Sequence, residues 1–323
     1  MEGFSGLFSD KKGFNYFGKG SEFALILFKN ILLTIITLGI YYPWAKVEIL
    51  KYHYQSTEID KNSFVFNGTA KEVFFGFLKV YAIVFIFYLL LGYGVSIESP
   101  KFMGITLGVF YLFFLLLIPF AIHGAIRYRA SRSSWKGIHF SYLGDKMELF
   151  WKFLIGTLIT ILTLGIYGAW FSIDLRKYIF SHLRFGNLSF DFKGEGSTFF
   201  LINLKFFFLS ILTLGIYSIW YIKELFSYYA ENTTITQNGR EVNFRFNAKP
   251  GDVFELLIVN FLLAVATLGI ATPWIIIRTQ TFIFRFLEIE EGLNTGSIQK
   301  INYDNYTDAS GDSFLDFLDL DLL

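Results

Sequence analysis

The sequence predicts an all-α polytopic membrane protein assembled from five internal repeats of about 50 residues. Three observations carry that prediction. The chain is 54% hydrophobic and 17% charged, with 41 phenylalanines in 323 residues and a mean hydropathy of +0.47. Soluble domains carry more charge and far fewer phenylalanines. Six apolar segments, roughly Phe23–Tyr42, Val73–Tyr93, Met103–Ile122, Leu149–Trp170, Phe199–Trp220 and Val253–Ile276, match the ~20 residues a helix needs to cross a bilayer. Two motifs also recur at fixed spacing, the signature of a repeat architecture.

The first motif is an octapeptide at Thr37–Trp44 (TLGIYYPW), Thr163–Trp170 (TLGIYGAW), Thr213–Trp220 (TLGIYSIW) and Thr267–Trp274 (TLGIATPW). The second, aromatic-x-aromatic-x-Gly, precedes the apolar segments as Phe14-Tyr16-Gly18, Phe64-Phe66-Gly68, Phe140-Tyr142-Gly144 and Phe190-Phe192-Gly194. A fifth copy, Phe244-Phe246, carries Ala248 in place of glycine. Gly18 to Trp44, Gly144 to Trp170, Gly194 to Trp220 and Ala248 to Trp274 are each 26 residues apart, and Gly68 to Phe120 is 52. In that second unit the octapeptide has decayed to Pro119-Phe120 and an extra apolar span is inserted. The units run approximately 14–63, 64–139, 140–189, 190–243 and 244–293, and an acidic tail occupies 294–323.

Each unit reads as an aromatic strand-like segment, an apolar helix, a Gly/Pro/Trp break and a shorter segment of mixed polarity such as Ala45–Ile59. That last segment, at about 15 residues, spans only about 22 Å as a helix and carries charge, so it reads as an interfacial amphipathic helix. Turn residues Asp60-Lys61-Asn62, Phe185-Gly186-Asn187 and Asn238-Gly239 predict short β-hairpins at the membrane surface between units. The break residues are Gly39, Pro43, Trp44, Gly165, Trp170, Gly215, Trp220, Gly269, Pro273 and Trp274. The tryptophans fit an interfacial aromatic belt; the glycines fit close helix packing or a hinge in the membrane.

This arrangement gives six crossings, with both termini on the same side, assigned to the cytoplasm. Counting Lys and Arg for alternating units puts eleven on the N-terminal side and thirteen opposite, so the positive-inside rule selects no orientation. A second arrangement, with every post-tryptophan segment on one side, stays open. The first 21 residues hold no cleavable apolar region, so no signal peptide is expected.

Ionisable groups within apolar spans are functional suspects. Lys29, Lys79 and Lys205 lie eleven residues after the motif glycine; Asn30 and Asn260 lie one further on; Glu48, Asp174 and Glu224 lie four after the tryptophan. Paired, such groups line cavities or relay protons. Alternatively each lysine snorkels to the headgroups and the acids face water. The chain has no cysteine, and its four histidines lack metal-ligand spacing. No Walker loop, nucleophile elbow, HExxH or dinucleotide fingerprint is present. No catalytic residue, metal or cofactor is therefore expected. Arg127, Arg129, Arg132 and Lys136 form the densest basic cluster, which suits anionic lipid rather than nucleic acid. From Ile298 onward there are six Asp and one Lys, a net −5 that leaves the rest of the chain at +6. In that tail Asp312, Phe314, Asp316, Phe317 and Asp319 alternate acid with apolar side chain, the pattern of a disordered docking segment for a protein partner or of a solubilising tail.

The TLGIYYPWAKVEILKYHY block, followed by the aromatic-x-aromatic-x-Gly strand, resembles the YjgN-like bacterial inner-membrane proteins, a domain of unknown function. The likeness covers all five units; unit two departs at Pro119-Phe120, and the acidic tail is additional. It implies a multi-pass protein of the bacterial inner membrane, with the lipid bilayer as its partner, and supplies no activity. Two functions are compatible with these residues: a transporter or channel-like protein for a small solute or lipid, and a non-catalytic scaffold acting through the surface hairpins and tail. An enzyme acting on lipid is the weakest reading, since no acid/base pair stands out.

Overall fold

Four of the six apolar segments do not run through as single helices. The computed structural model, which describes residues 13–290, 292–301 and 303, breaks each of them at the octapeptide. The results are four helical hairpins: α1 (Gly20–Ile36) with α2 (Tyr42–Ser56), α5 (Lys146–Leu162) with α6 (Gly168–Ser181), α7 (Gly196–Leu212) with α8 (Ser218–Glu231), and α9 (Pro250–Ala266) with α10 (Thr272–Phe286). A fifth hairpin pairs two longer helices, α3 (Ala70–Ser96) and α4 (Pro100–Arg132).

The octapeptide dictates the break. Leu38 and Gly39 take positive φ values of 50° and 92°, and the Gly39 amide donates back to the Thr34 carbonyl at 2.8 Å, a left-handed helix stop. The Thr37 hydroxyl donates to Leu33 O at 2.7 Å and accepts from the Tyr41 amide at 3.0 Å, tying the outgoing helix to the incoming one. Thr163, Thr213 and Thr267 accept from the amides of Tyr167, Tyr217 and Ala271 in the same way. A Cβ added at Gly39, Gly165, Gly215 or Gly269 would meet nothing within 4 Å, so the glycines serve the turn rather than close helix packing. The preceding residue is leucine in all four turns, at φ 50–52°, although a left-handed conformation costs an L-residue roughly 1–2 kcal/mol.

The all-α expectation is overturned. The segments between hairpins form a ten-stranded antiparallel sheet in simple sequence order: β1 (Asn15–Tyr16), β2 (Thr57–Ile59), β3 (Asn62–Phe66), β4 (Ser133–Trp135), β5 (Ile138–Tyr142), β6 (Leu183–Phe185), β7 (Leu188–Phe192), β8 (Thr233–Gln237), β9 (Arg240–Phe246) and β10 (Leu287–Ile289). Neighbouring hairpins pair with one another, as in Phe64↔Trp135, Phe140↔Phe185 and Phe190↔Ile235, so they are not separate surface hairpins. A bridge between Gly13 and Glu288 joins the two outer strands and closes the sheet into a barrel. Two-residue turns with both φ positive, at Asp60-Lys61, Lys136-Gly137 and Asn238-Gly239, have the twist that tight antiparallel hairpins need.

The expectation of six crossing helices is overturned as well. Among the described residues only α3 and α4, of 27 and 33 residues, are long and apolar enough to cross a membrane. The extra apolar span of unit two lengthens these two helices, and α4 continues through the buried Pro119, whose counterpart Pro43 stands in the first turn of α2. Because every helix pair leaves the barrel and returns to it, all the hairpin tips lie away from the strands.

The helices form a closed collar, each packed on the next and α10 on α1. Aromatic residues lock neighbouring hairpins together: Trp44 on Phe74 at 5.2 Å, Phe120 on Phe150 at 5.1 Å and Trp170 on Phe200 at 5.1 Å. Trp170 also covers Gly196, where an added Cβ would lie 2.7 Å from the Trp170 Cα, and Trp274 covers Gly20 in the same way. Trp220 and Trp274 remain 47% and 41% exposed, so these tryptophans are partly seams and partly surface.

Candidate functional site, an apolar cavity inside the barrel

The aromatic motif builds the barrel interior. In a strand, residues i and i+2 share a face, so both aromatics of each copy point inward. The first of each pair (Phe14, Phe64, Phe140, Phe190 and Phe244) lines a central cavity. The second (Tyr16, Phe66, Tyr142, Phe192 and Phe246) is buried beneath the helices. There the ring folds over the residue two further on. A Cβ at Gly18, Gly68, Gly144 or Gly194 would fall within 2.7 Å of the Tyr16, Phe66, Tyr142 or Phe192 ring, which is why the motif ends in glycine.

The alternate strands complete the wall with Ile59, Trp135, Phe185, Ile235 and Ile289. Phe14–Phe64, Phe64–Phe140 and Phe140–Phe185 centroids lie 6.4, 6.3 and 4.3 Å apart, a near-continuous aromatic belt. The cavity volume is about 490 Å³. A cavity of about 150 Å³ lined by apolar side chains admits the six carbons of benzene. In proportion, about 490 Å³ takes on the order of 20 carbon atoms.

Polar groups gather at the helix end of this cavity: His53 from α2, Arg129 from α4 and Gln280 from α10. His53 Nδ1 lies 2.7 Å from the Tyr16 hydroxyl. Burial holds the imidazole below its usual pKa and pushes the Tyr16 phenol up, so a neutral His53 accepts from a protonated Tyr16. The opposite end is closed by the chain after β10. Leu293, Thr295 and Ile298 face the cavity. Gln237 donates to Asn294 O at 2.9 Å and accepts from the Asn294 amide at 2.9 Å. Thr295 Oγ1 donates to Asp60, Asn187 Oδ1 accepts from the Gln299 amide at 3.1 Å, and the Tyr303 hydroxyl donates to Gly186 O at 3.0 Å. Residues 293–301 and Tyr303 are thus pinned to three of the hairpin turns.

Of the basic cluster flagged in the sequence, Arg129 lines the cavity; the lysines, asparagines and acids singled out in the apolar spans and after the tryptophans lie elsewhere, and none of them lines it. Lys29 pairs with Glu48, and Lys205 with Glu224 at 3.2 Å; Asn260 Nδ2 donates to Thr279 Oγ1 at 3.1 Å. Each of these contacts joins the two helices of one hairpin across 19 residues. Asp174 has the Tyr167 hydroxyl at 3.5 Å. Lys79 is exposed on α3, and at the α4 position matching Glu48 stands Gly124, by the 76-residue offset that relates Trp44 to Phe120. Asn30 is 2% exposed with neither side-chain polar atom hydrogen-bonded. Sequence reasoning missed the cavity itself and the roles of His53, Arg129 and Gln280. The i, i+2 spacing of the aromatic pairs was the available signal. The tail residues Asp312, Phe314, Asp316, Phe317 and Asp319 lie outside the described residues.

The profile of a family described as bacterial proteins of unknown function (DUF898) matches residues 11–209 and 221–317, which takes in the helical collar, the barrel and the closing segment. The chain belongs to this family. It is 29% identical over 168 residues to inner membrane protein YjgN of Salmonella typhimurium, an alignment covering 48% of this chain and 40% of that protein. It is 35% identical over 138 residues to inner membrane protein YjgN of Escherichia coli K12, covering 43% of this chain and 32% of that protein. The chain thus spans less than half the length of these relatives. No solved structure matches it.

Proposed function

We propose that this protein resides in the bacterial inner membrane and holds the acyl chain of a lipid-like amphiphile inside its barrel. One observation carries the reading: a barrel whose interior holds a cavity of about 490 Å³ with an aromatic and aliphatic wall. Apolar cavities of this kind exclude water and favour apolar guests. The volume fits one chain of roughly 16–18 carbons by the benzene comparison. Arg129, His53 and Gln280 at the helix end suit the polar head, so the chain would enter tail first from the membrane side.

The barrel faces the cytoplasm in this proposal. Lys61, Lys136, Arg184, Arg240 and Arg245 lie in its strands and turns, whereas Lys101 stands at the far end of the long hairpin. That is the asymmetry the positive-inside rule rewards. The balanced sequence count came from assuming that successive units alternate in orientation. An aqueous channel is the poorer reading, because the Lys29–Glu48 and Lys205–Glu224 pairs sit within single hairpins rather than around the cavity.

The test is native mass spectrometry of protein extracted in mild detergent, followed by delipidation and titration with a fluorescent fatty acid. A one-to-one acyl ligand and saturable uptake are expected. An empty barrel that takes up no probe after delipidation sinks the proposal.

A further inference from the structure

The hairpin tips differ in character at the residue of reversal. The four short hairpins place Leu38, Leu164, Leu214 and Leu268 at the reversal, 82%, 94%, 93% and 93% exposed. All four sit at left-handed φ, a conformation in which glycine or asparagine is at home and a branched apolar side chain is not. The leucines pack on nothing, and the turn does not ask for them. Ile40, Ile166, Ile216 and Ile270 beside them are also more than half exposed. The long hairpin closes with the same pair of hydrogen bonds, Glu98 N to Val95 O and Ser99 N to Gly94 O as Leu38 N and Gly39 N bond to Ile35 O and Thr34 O, although Ser99, at φ −107°, does not repeat the left-handed glycine. There the leucine position holds Glu98, at φ 49°, in the sequence Ser-Ile-Glu-Ser-Pro-Lys.

Length follows the same division. A 17-residue helix such as α1 or α7 rises about 25 Å, short of the ~30 Å hydrocarbon core. The 27 and 33 residues of α3 and α4 rise about 40 and 50 Å. We infer that only the α3–α4 hairpin crosses the bilayer, delivering Glu98 and Lys101 to water on the far side. The other four hairpins insert their leucine tips into the hydrocarbon of the barrel-side leaflet and end there. The occupant of these apolar tips is lipid hydrocarbon, because an exposed strained leucine gains only from an apolar solvent while the charged Glu98 at the same left-handed φ needs an aqueous one. The collar then reaches one leaflet, the one next to the polar end of the barrel cavity. This inference rests on the inner-membrane location proposed above, not on the identity of the cavity's ligand.

The chain has no native cysteine, so single-cysteine variants of the full chain give an unambiguous readout. Glu98→Cys, Leu38→Cys, Leu164→Cys, Leu268→Cys and Lys61→Cys are exposed to a membrane-impermeant maleimide in intact cells and in inverted membranes, after fractionation confirms each in the membrane. Glu98→Cys should label in intact cells, and Lys61→Cys only in inverted membranes. The three tip cysteines should label at least tenfold more slowly than either control in both preparations, and fully once denatured. Labelling of Leu164→Cys in intact cells at the Glu98→Cys rate would mean that the short hairpins cross. Labelling of the tips in inverted membranes at the Lys61→Cys rate would mean that they lie in water. Either result overturns the inference. Recovery of the native chain in the soluble fraction would instead remove the membrane reading beneath it. As a second readout, tip cysteines carrying bimane and reconstituted with brominated-chain lipid should be quenched more than bimane at Lys61→Cys, and equal quenching counts against insertion.

Discussion

Ala130 lines the barrel cavity from the last turn of α4 and is 6% exposed, so Ala130→Phe projects a ring into the space the acyl chain is proposed to fill. A benzene-sized group occupies about 150 Å³ in a reference cavity, which leaves about two-thirds of the 490 Å³. About six methylenes of a bound chain are displaced. At about 0.8 kcal/mol per buried methylene the variant loses roughly 5 kcal/mol of binding, more than three orders of magnitude in Kd. That figure is an upper bound, since a shorter chain can adapt. The assay is displacement of a fluorescent C16 fatty acid from delipidated protein, run beside C10 and C12 competitors. The C16 affinity should collapse while C10 binding changes much less, so that chain-length preference shifts downward. Ile235→Phe, on the opposite side of the barrel wall, guards against a folding defect peculiar to α4 and should shift preference in the same direction by less. Unchanged C16 binding in both folded variants would refute the reasoning.

Three other outcomes follow from the packing. Asn30 is buried in α1 with both side-chain polar atoms unsatisfied, so Asn30→Leu should stabilise the protein by about 1–3 kcal/mol; a lower thermal midpoint in detergent would show that the amide serves a purpose. Gly196→Ala places a methyl against the Trp170 backbone and should destabilise by roughly 1–3 kcal/mol, as overpacking does. Gly251→Ala, where an added Cβ meets nothing within 4 Å, provides the control that should be neutral or slightly stabilising. Burial lowers the His53 pKa in the folded protein, so the unfolded chain binds a proton that the native chain resists, and stability falls as pH drops below about 6.5. Comparing melts at pH 7.5 and 5.5, the loss should be smaller in His53→Gln; an identical pH response in both proteins would assign it to other groups.

Much of the local structure was legible. The octapeptide contains every group that makes the reversal: a threonine hydroxyl to bridge the two helices, a glycine for the left-handed position, and tryptophan or its substitute Phe120 for the seam. The aromatic-x-aromatic-x-Gly spacing likewise places two rings on one face and a glycine beneath the second. The class was misread for two reasons. Strands such as β2, β4, β6 and β10 have only three residues each, too few to show alternation. Hydropathy also cannot distinguish one 20-residue helix from a helix, a turn and the first turns of another. Lysines and acids in or beside the apolar segments drew attention because charge in an apolar run is conspicuous, whereas the cavity is built from ordinary phenylalanines and isoleucines whose importance lies only in where they converge.

The sequence by itself therefore determined the turns, the seams, the lipid-soluble character and the 19-residue separation that lets Lys29 meet Glu48 and Lys205 meet Glu224. Those are local, or fixed by the length of a hairpin. The tertiary structure alone decided that hairpins from the whole chain pair edge to edge, that Gly13 and Glu288 close the ring, and that residues 293–298 seal its mouth. Backbone hydrogen bonds between strands distant in sequence carry no residue code. Closure depends on the strands being delivered side by side by the helices, so the barrel and its cavity exist only once the whole collar is assembled.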